Sequence, residues 1–171
     1  MGVQTAQPDT RIEWDETLSH VRRYVTSRVG DRQLAEDITQ DVFVALLRDR
    51  NRFDPARGSL RALLLGMARN LALKRWRSEH RLDQLDDDAM GAVTVDLDRG
   101  PIGEIVGHAV QALVPMQREV VILAEYDGLT LAEIAAAVSA DVGTVKARLH
   151  RARENLRRAL APLRNRQSTT A

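Results

Sequence analysis

The sequence predicts an all-α protein of two small helical domains joined by an acidic linker. Apolar residues recur at spacings of three and four through most of the 171 residues, which is the period of an amphipathic helix. Aromatic residues make up only 4% of the chain, and the abundance of Ala, Leu, Val and Arg favours helices over sheets. The length allows either one large or two small domains. A non-periodic acidic stretch at residues 82–101 favours two.

The first domain is expected at residues 11–81, after a loose N-terminus at residues 1–10. Its first helix runs from Ile12 and is stopped by Gly30, since glycine commonly ends helices. Its apolar stripe contains Trp14, Leu18, Val21, Val25 and Val29. Asp31 is suited to cap a second helix, whose apolar face contains Leu34, Ile38, Val42, Ala45 and Leu46.

A third helix is predicted over residues 60 to about 77, with Ser59 as its cap after the loop at residues 50–58. It is apolar on nearly every side for three turns, through Leu60, Leu63, Leu64, Leu65, Met67, Leu71 and Leu73. A helix with this pattern must lie at the centre of the first domain. We therefore expect a bundle of three to four helices, basic only at the C-terminal end of this helix.

The linker at residues 82–101 contains six aspartates, namely Asp83, Asp86, Asp87, Asp88, Asp96 and Asp98. A brief helix at residues 86–90 is an open alternative within it. Fully extended, such a linker spans at most about 70 Å. The two domains could therefore occupy well-separated sites.

The second domain is expected at residues 102–166, followed by a tail at residues 167–171. Four helices are predicted, at residues 102–113, 115 to about 126, 131–138 and about 142–163. Pro115 suits the first position of its helix. Thr130 and Glu133 match the capping-box pattern at the start of the third.

Residues 130–153 form a predicted helix-turn-helix, in which a short capped helix, a turn and a basic helix fit into 24 positions. This arrangement can hold a helix in the major groove of DNA. One face of the last helix is apolar, and we expect the other to contact DNA through Thr144, Lys146, Ala147, Arg148, His150 and Arg151. Thr144 and the first-turn amides would receive a phosphate. The alternative is a solvated amphipathic helix without a ligand.

The net charge of +1 conceals a strong segregation of charge. Residues 69–81 hold five basic residues against Glu79, and residues 142–166 hold eight against Glu154. The acidic linker lies between these two segments. Two cationic regions separated by an anionic one indicate a polyanion bound at two places.

Several function classes have no support in the sequence. The chain has no cysteine, which excludes disulfides and thiolate metal sites and fits a cytoplasmic protein. No window resembles a membrane span or a secretory signal. We expect no enzyme, cofactor or metal, because neither a glycine-rich phosphate loop nor ligand spacing occurs and the four histidines are scattered. An enzyme acting on nucleic acid is the weakest alternative.

Three stretches resemble the extracytoplasmic-function (ECF) group of bacterial RNA polymerase sigma factors. They are AEDITQDVF at residues 35–43, FDPARGSLRA continuing into ARNLA at residues 53–72, and GLTLAEIA with GTVKARLHRAR at residues 128–153. They span both predicted domains in family order. The resemblance implies a region 2 type first domain and a region 4 type helix-turn-helix second domain.

The resemblance also implies roles for particular residues. The second helix would dock on the coiled coil of the largest subunit of the polymerase core through Asp37, Gln40, Asp41 and Phe43. The third helix would open the duplex and engage the −10 element through Arg69, Asn70, Lys74, Arg75 and Arg77. The last helix would read the −35 element. As alternatives, Phe43 is a core residue and Asn70 makes a structural hydrogen bond.

Three positions depart from the family pattern. Leu63 stands where many relatives have tryptophan, so we assign it to the core. Lys74 stands where many relatives are acidic, which could alter promoter preference. Trp76, where relatives tend to be aliphatic, is assigned to core packing, with base stacking as the alternative.

The implied partners are the polymerase core, including its flap for the second domain, promoter DNA and an anti-sigma factor. The acidic linker would thread the polymerase cleft as a phosphate mimic, or it would only keep the two cationic domains apart. The rival function is a stand-alone helix-turn-helix regulator, which would normally dimerise on a palindrome. That reading explains neither the stretch at residues 35–43 nor the second basic helix.

Overall fold

The computed structural model describes residues 10–80 and 100–167, and these residues form seven α-helices. The N-terminal unit contains α1 (Thr10–Val29), α2 (Arg32–Arg48) and α3 (Leu60–His80), with two 3-10 turns at Arg50–Arg52 and Pro55–Arg57. The C-terminal unit contains α4 (Pro101–Gln111), α5 (Pro115–Val121), α6 (Leu131–Ala137) and α7 (Val142–Gln167). The all-α prediction is confirmed. Of the predicted linker only residues 100 and 101 are described, so its possible helix at residues 86–90 lies outside the described residues.

Local signals set three helix ends of the N-terminal unit as predicted, whereas α3 continues to His80, three residues beyond its predicted end. Gly30 follows α1 with a φ of 70°, a conformation in which a side chain would be strained. The Asp31 carboxylate accepts a hydrogen bond from the Leu34 amide at 2.8 Å. The Ser59 hydroxyl likewise accepts one from the Ala62 amide at 3.2 Å. Both side chains satisfy amides that the first helical turn leaves without partners.

The C-terminal unit departs from the predicted helix ends in three places. Helix α4 ends at Gln111, two residues before the predicted end. The helix that begins at Pro115 becomes a π-helical segment over Ile122–Tyr126, where the Asp127 amide donates to the Ile122 carbonyl at 3.0 Å. The last helix continues to Gln167, four residues beyond the predicted end, with Pro162 inside it. Proline removes one backbone donor while its φ remains compatible with a helix. None of the helices in the described ranges is long and apolar enough to cross a membrane.

The two units lie in contact, although the linker would allow them to be far apart. One continuous core includes Val21 and Leu64 of the N-terminal unit together with Leu123 and Ile134 of the C-terminal unit, all at most 1% exposed. Helix α3 lies directly against α6. A β-carbon built on Gly66 would be 3.3 Å from the Ala137 α-carbon, so only glycine allows this approach without displacement.

Trp14, Val21, Val25 and Val29 of the predicted stripe pack in the core, and the contact between the units widens the buried face of α1. The predicted stripe residue Leu18 is 39% exposed, whereas Thr17, Tyr24 and Arg28 are buried. The prediction for Leu18 was therefore wrong. Tyr24 and Arg28 are buried because the C-terminal unit covers them and supplies a carboxylate partner, which no pattern within α1 reveals.

Candidate nucleic-acid interface

Helix α7 presents one buried and one open face, as its period predicts. Val145, Leu149 and Ala152 are at most 5% exposed and fix the helix on the C-terminal unit. Four of the six residues predicted to contact DNA are exposed, namely Lys146, Ala147, His150 and Arg151. The other two, Thr144 and Arg148, are half-buried. The exposed side chains of Lys146, Ala147, His150 and Arg151 therefore form one open surface of α7.

The start of α7 differs from the predicted phosphate site. The Asp141 carboxylate accepts hydrogen bonds from the Thr144 amide at 2.8 Å and from the Thr144 hydroxyl at 2.5 Å. These two bonds hold the pKa of Asp141 below its usual value. The first-turn amide that we expected to bind a phosphate is thus already occupied by a side chain of this chain. The sequence could have predicted this cap, because an aspartate three residues before Thr144 is a common N-cap at the start of a helix.

Gly143 also has a local explanation. A β-carbon at this position would lie 3.0 Å from the Asp141 carboxylate oxygen that caps the helix. The absence of a side chain at Gly143 leaves room for this cap.

Two side chains beyond the second turn of α7, Arg153 and His150, have acidic neighbours. The Arg153 guanidinium donates to the Glu125 carboxylate at 2.9 Å through Nε. The His150 ring nitrogen lies 3.9 Å from a Glu154 carboxylate oxygen. The Arg151 side chain projects from the turn between them and is exposed, which leaves it well placed for a ligand.

The C-terminal half of α3 carries the second cationic surface. Asn70, Lys74, Arg75 and Arg77 are exposed. The Arg75 guanidinium lies 3.1 Å from the Asp41 carboxylate of α2, and both side chains are about half exposed. Leu63 and Trp76 are partly buried against the core, as assigned from the sequence.

Arg69 is the exception among the residues predicted to engage the −10 element. It is only 5% exposed, and its Nε donates to the Glu119 carboxylate of α5 at 3.1 Å. In this arrangement Arg69 is not accessible to a nucleic acid. The helical period of α3 could have predicted that Arg69 is buried. Arg69 shares a stripe with Leu65 and Leu73, and not with Lys74 and Arg77.

The same Glu119 oxygen receives two further groups from α1. The Tyr24 hydroxyl donates to it at 2.8 Å, and the Arg28 Nη1 lies 3.4 Å away. All four side chains are buried. Burial, followed by the charge of Glu119, raises the pKa of Tyr24 well above its usual value. Sequence reasoning missed this cluster because its members come from three helices.

Asp127 forms a second polar contact between the units. Its carboxylate oxygen Oδ1 lies 2.7 Å from His20 Nδ1 and 3.0 Å from an Arg23 nitrogen. Asp127 is 1% exposed. Its backbone carbonyl accepts from Arg61 at 3.1 Å. His20, which was read as isolated in the sequence, therefore has an acidic partner more than a hundred residues away.

Glu133 joins the units at a third point while capping α6. It accepts from the Thr130 amide at 2.9 Å, which completes the predicted capping box, and from the Ser59 amide at 2.7 Å. Burial acts to raise the pKa of Glu133, but hydrogen bonds from Ser59 and Thr130 outweigh it and lower the pKa to about 2. One carboxylate thus serves the starts of two helices in different units.

The residues predicted to dock on the polymerase divide between surface and core. Asp37, Gln40 and Asp41 are exposed on α2. Phe43 is half-buried, and its ring centroid lies 5.8 Å from that of Trp14. Phe43 therefore packs within the N-terminal unit, and the three polar residues alone form the open surface.

The fold defines an all-helical protein with a basic helix-turn-helix unit packed on a second helical unit. Residues 14–82 match the family model for Sigma-70 region 2, and residues 103–156 match the model for Sigma-70 region 4. These matches cover the two units and leave a gap at the linker. The chain belongs to the ECF group of RNA polymerase sigma factors, and its function is to direct the polymerase to promoters for transcription initiation.

Curated relatives agree with this assignment. The ECF RNA polymerase sigma factor SigK of Mycolicibacterium vanbaalenii is 31% identical over 169 residues, which cover 92% of this chain and 86% of the relative. SigK of Mycobacterium tuberculosis H37Rv is 31% identical over 156 residues, with 86% and 83% of the two chains covered.

Two solved structures share the fold. The sigma factor RpoE of Bartonella quintana, solved in complex with the anti-sigma factor NepR, matches with a TM-score of 0.66 at 25% identity, covering 90% of this chain and 97% of RpoE. CnrH, solved with the cytosolic domain of CnrY, matches with a TM-score of 0.56 at 24% identity, covering 90% and 86%.

Proposed function

We propose that α7 reads the −35 element through Lys146, His150 and Arg151. The observation that carries this proposal is their exposure on the face opposite the buried stripe of Val145, Leu149 and Ala152. These three side chains lie one to two turns into the helix, where recognition helices usually reach base edges. The exposed methyl group of Ala147 lies among them and leaves room for close approach.

In the same promoter complex α3 engages the −10 element. Lys74, Arg75 and Arg77 hold the phosphate backbone, and Asn70 meets a base that has left the stack. Expelling a base costs a few kcal/mol, which hydrogen bonds and phosphate contacts offset. Arg69 joins this set only after it has parted from Glu119.

Helix α2 docks on the coiled coil of the largest polymerase subunit. Asp37, Gln40 and Asp41 lie within about one turn and offer acceptors to an arginine-bearing partner. Val44 and Leu47, 42% and 58% exposed, extend this surface with apolar area. Phe43 contributes from inside, by fixing α2 against Trp14 of α1.

The C-terminal unit contacts the flap of the polymerase. An open apolar groove between α5 and α7, lined by Val121, Leu156, Leu160 and Leu163, supports this assignment. An anti-sigma factor holds the chain inactive in the cytoplasm by covering these surfaces, as the solved complex of RpoE with NepR suggests for a related fold. The chain supplies recognition and strand separation, and the polymerase supplies catalysis.

The test is transcription in vitro with sigma-free core polymerase on a genomic library, followed by sequencing of the transcript starts. The chain should confer a discrete set of start sites with two shared upstream motifs. Raising the salt should reduce initiation steeply, because several cations displace counterions at both elements. A stand-alone regulator would instead bind duplex DNA tightly without polymerase and leave start-site choice unchanged.

A further inference from the structure

Lysine is rare in this chain, and the two lysines lie at corresponding places on the two cationic surfaces. Of the 25 residues that are lysine or arginine, only Lys74 and Lys146 are lysines. Lys74 is exposed on the C-terminal half of α3, and Lys146 is exposed on the open face of α7. Each surface proposed to bind the promoter therefore contains one lysine, and the rest of the sequence contains none.

The need for a positive charge does not by itself explain a lysine at these two positions. Arginine binds a phosphate at least as well, because its planar guanidinium can donate two parallel hydrogen bonds. Arginine supplies the neighbouring exposed cations, at Arg75 and Arg77 on α3 and at Arg151 on α7. What a lysine adds at these positions is a primary amine.

Both amines are open to solvent. Within the described residues, neither Lys74 nor Lys146 has a hydrogen bond or an ion pair through its side chain. Nearby arginines differ in this respect, since Arg75 lies 3.1 Å from Asp41 and the Arg153 Nε donates to Glu125 at 2.9 Å. A reagent can therefore reach the two lysine nitrogens without first displacing a carboxylate.

A primary amine undergoes acyl transfer, whereas a guanidinium stays protonated and does not. The neutral Nζ attacks the acyl carbon of an acyl phosphate or an acyl thioester. The new carbon–nitrogen bond forms as the bond from the acyl carbon to the phosphate oxygen or the thiol sulfur breaks. The leaving group takes the electron pair, and the surplus proton of the amine goes to solvent. The product is an uncharged amide.

Loss of these two charges should weaken promoter binding by a predictable amount. A cation that neutralises a DNA phosphate contributes about 0.9 to the slope of log affinity against log salt. At about 0.15 M salt this corresponds to roughly fivefold in affinity for each cation. Because the two lysines lie on different helices and share no partner, their effects should multiply to about 25-fold.

We propose that Lys74 and Lys146 are acylation sites, at which an activated acyl group removes one cation from each promoter-binding surface and so lowers promoter affinity. This inference rests on the proposed function of α3 and α7. The arginines of the same two helices keep their charge under this chemistry. Acylation therefore weakens promoter binding without abolishing the cationic character of either surface.

The first experiment locates the modification. The full chain is treated with acetyl phosphate in one arm and with an acetyl thioester of a small thiol in the other, and peptide mass spectrometry then finds the acetyl groups. Both lysines should be acetylated in at least one arm, and the reactive arm identifies the class of donor. If either lysine stays unmodified in both arms, the proposal is wrong.

The second experiment measures the consequence for promoter binding. After the donor has been removed, the acetylated chain is assembled with core polymerase and compared with the untreated chain on one promoter. Affinity should fall by about 25-fold at about 0.15 M salt, and the salt slope should decrease in magnitude by about 2. Equal affinity and equal slope before and after acetylation would overturn the inference.

Two variants control for acetylation at other groups. Lys74→Arg/Lys146→Arg retains both positive charges but has no side-chain amine, so treatment should not change its promoter affinity from its own starting value. Addition of Arg22→Lys to this variant places one amine on an exposed position of α1, away from both surfaces. Acetylation there should also leave affinity unchanged. A loss of affinity in either variant after treatment would show that the two natural lysines are not responsible.

The failure of this inference can be distinguished from the failure of the proposed function. If the untreated chain directs initiation and the acetylated chain does so equally well, only the acylation proposal is refuted. If the untreated chain confers no start-site choice on core polymerase, the proposed function fails, and the acylation proposal fails with it.

Discussion

The Glu133 carboxylate should contribute to the free energy of unfolding in a way that depends on pH. Its carboxylate accepts from the Thr130 amide at 2.9 Å and from the Ser59 amide at 2.7 Å, and its pKa lies at about 2 in place of 4.5. At about 1.4 kcal/mol for each tenfold change in proton affinity this corresponds to roughly 3 kcal/mol for a fully buried group. Glu133 is only partly buried, so solvent screening reduces the figure to about 1 kcal/mol.

The sign follows from the direction of the pKa shift. Because folding lowers the pKa of Glu133, its contribution is complete above about pH 4.5 and is lost as the pH falls towards about 2. Glu133→Gln preserves the shape of the side chain but loses the charge and one acceptor. The variant should therefore be about 1 kcal/mol less stable than the natural chain at pH 7, and the difference should shrink below pH 4.5.

The assay is urea unfolding of both proteins between pH 7 and pH 3, monitored by circular dichroism. Asp15→Asn is the matched control, because it removes a carboxylate charge at an exposed site of α1. A difference between Glu133→Gln and the natural chain that stays constant down to pH 3 would show that the charge is not responsible. If Glu133→Gln and Asp15→Asn lose the same free energy of unfolding, the stabilising role of Glu133 at the two helix starts is refuted.

Three further predictions concern Arg151, Tyr24 and Asp141. Arg151→Ala should weaken promoter binding by about 1–3 kcal/mol, with loss of discrimination at the −35 element. The control Arg157→Ala, farther along the same helix, should weaken binding to all promoters equally. A competition assay over promoter sequence variants measures both effects. Tyr24→Phe keeps the ring but removes the donor to Glu119, and should lower the free energy of unfolding by about 2 kcal/mol at pH 7, measured by thermal unfolding. Because folding raises the pKa of Tyr24, this loss of stability should persist below about pH 10 and diminish above it. Asp141→Ala should speed hydrogen exchange of the Thr144 amide, whereas Asp141→Asn, which retains an acceptor oxygen, should not.

Features set by neighbouring residues could be predicted from the sequence. Gly30, Ser59 and the pair of Thr130 with Glu133 end or begin helices as their local patterns indicated. The period of α7 likewise separated Val145 and Leu149 from the open face. Each of these depends on interactions within about one helical turn, which a single sequence contains.

Features set by contact between the units could not be predicted in the same way. Tyr24 and Glu119 are 95 residues apart, and His20 and Asp127 are 107 apart. No local pattern joins them. Arg69 was grouped with Lys74 and Arg77 because they share a charge, although its position on α3 places it with the buried stripe. Charge alone therefore overestimated the open cationic surface.

The contact between the units combines apolar and polar groups, and only the apolar part follows from the sequence period. Val21 and Ile134 belong to one continuous core that both units share. Tyr24, Arg69 and Glu119 form a buried polar cluster between the same units. Because pairing buried charges offsets little more than their desolvation, the apolar residues contribute most of the stability of this contact. The polar cluster instead depends on three side chains meeting from three helices, which no periodic pattern records.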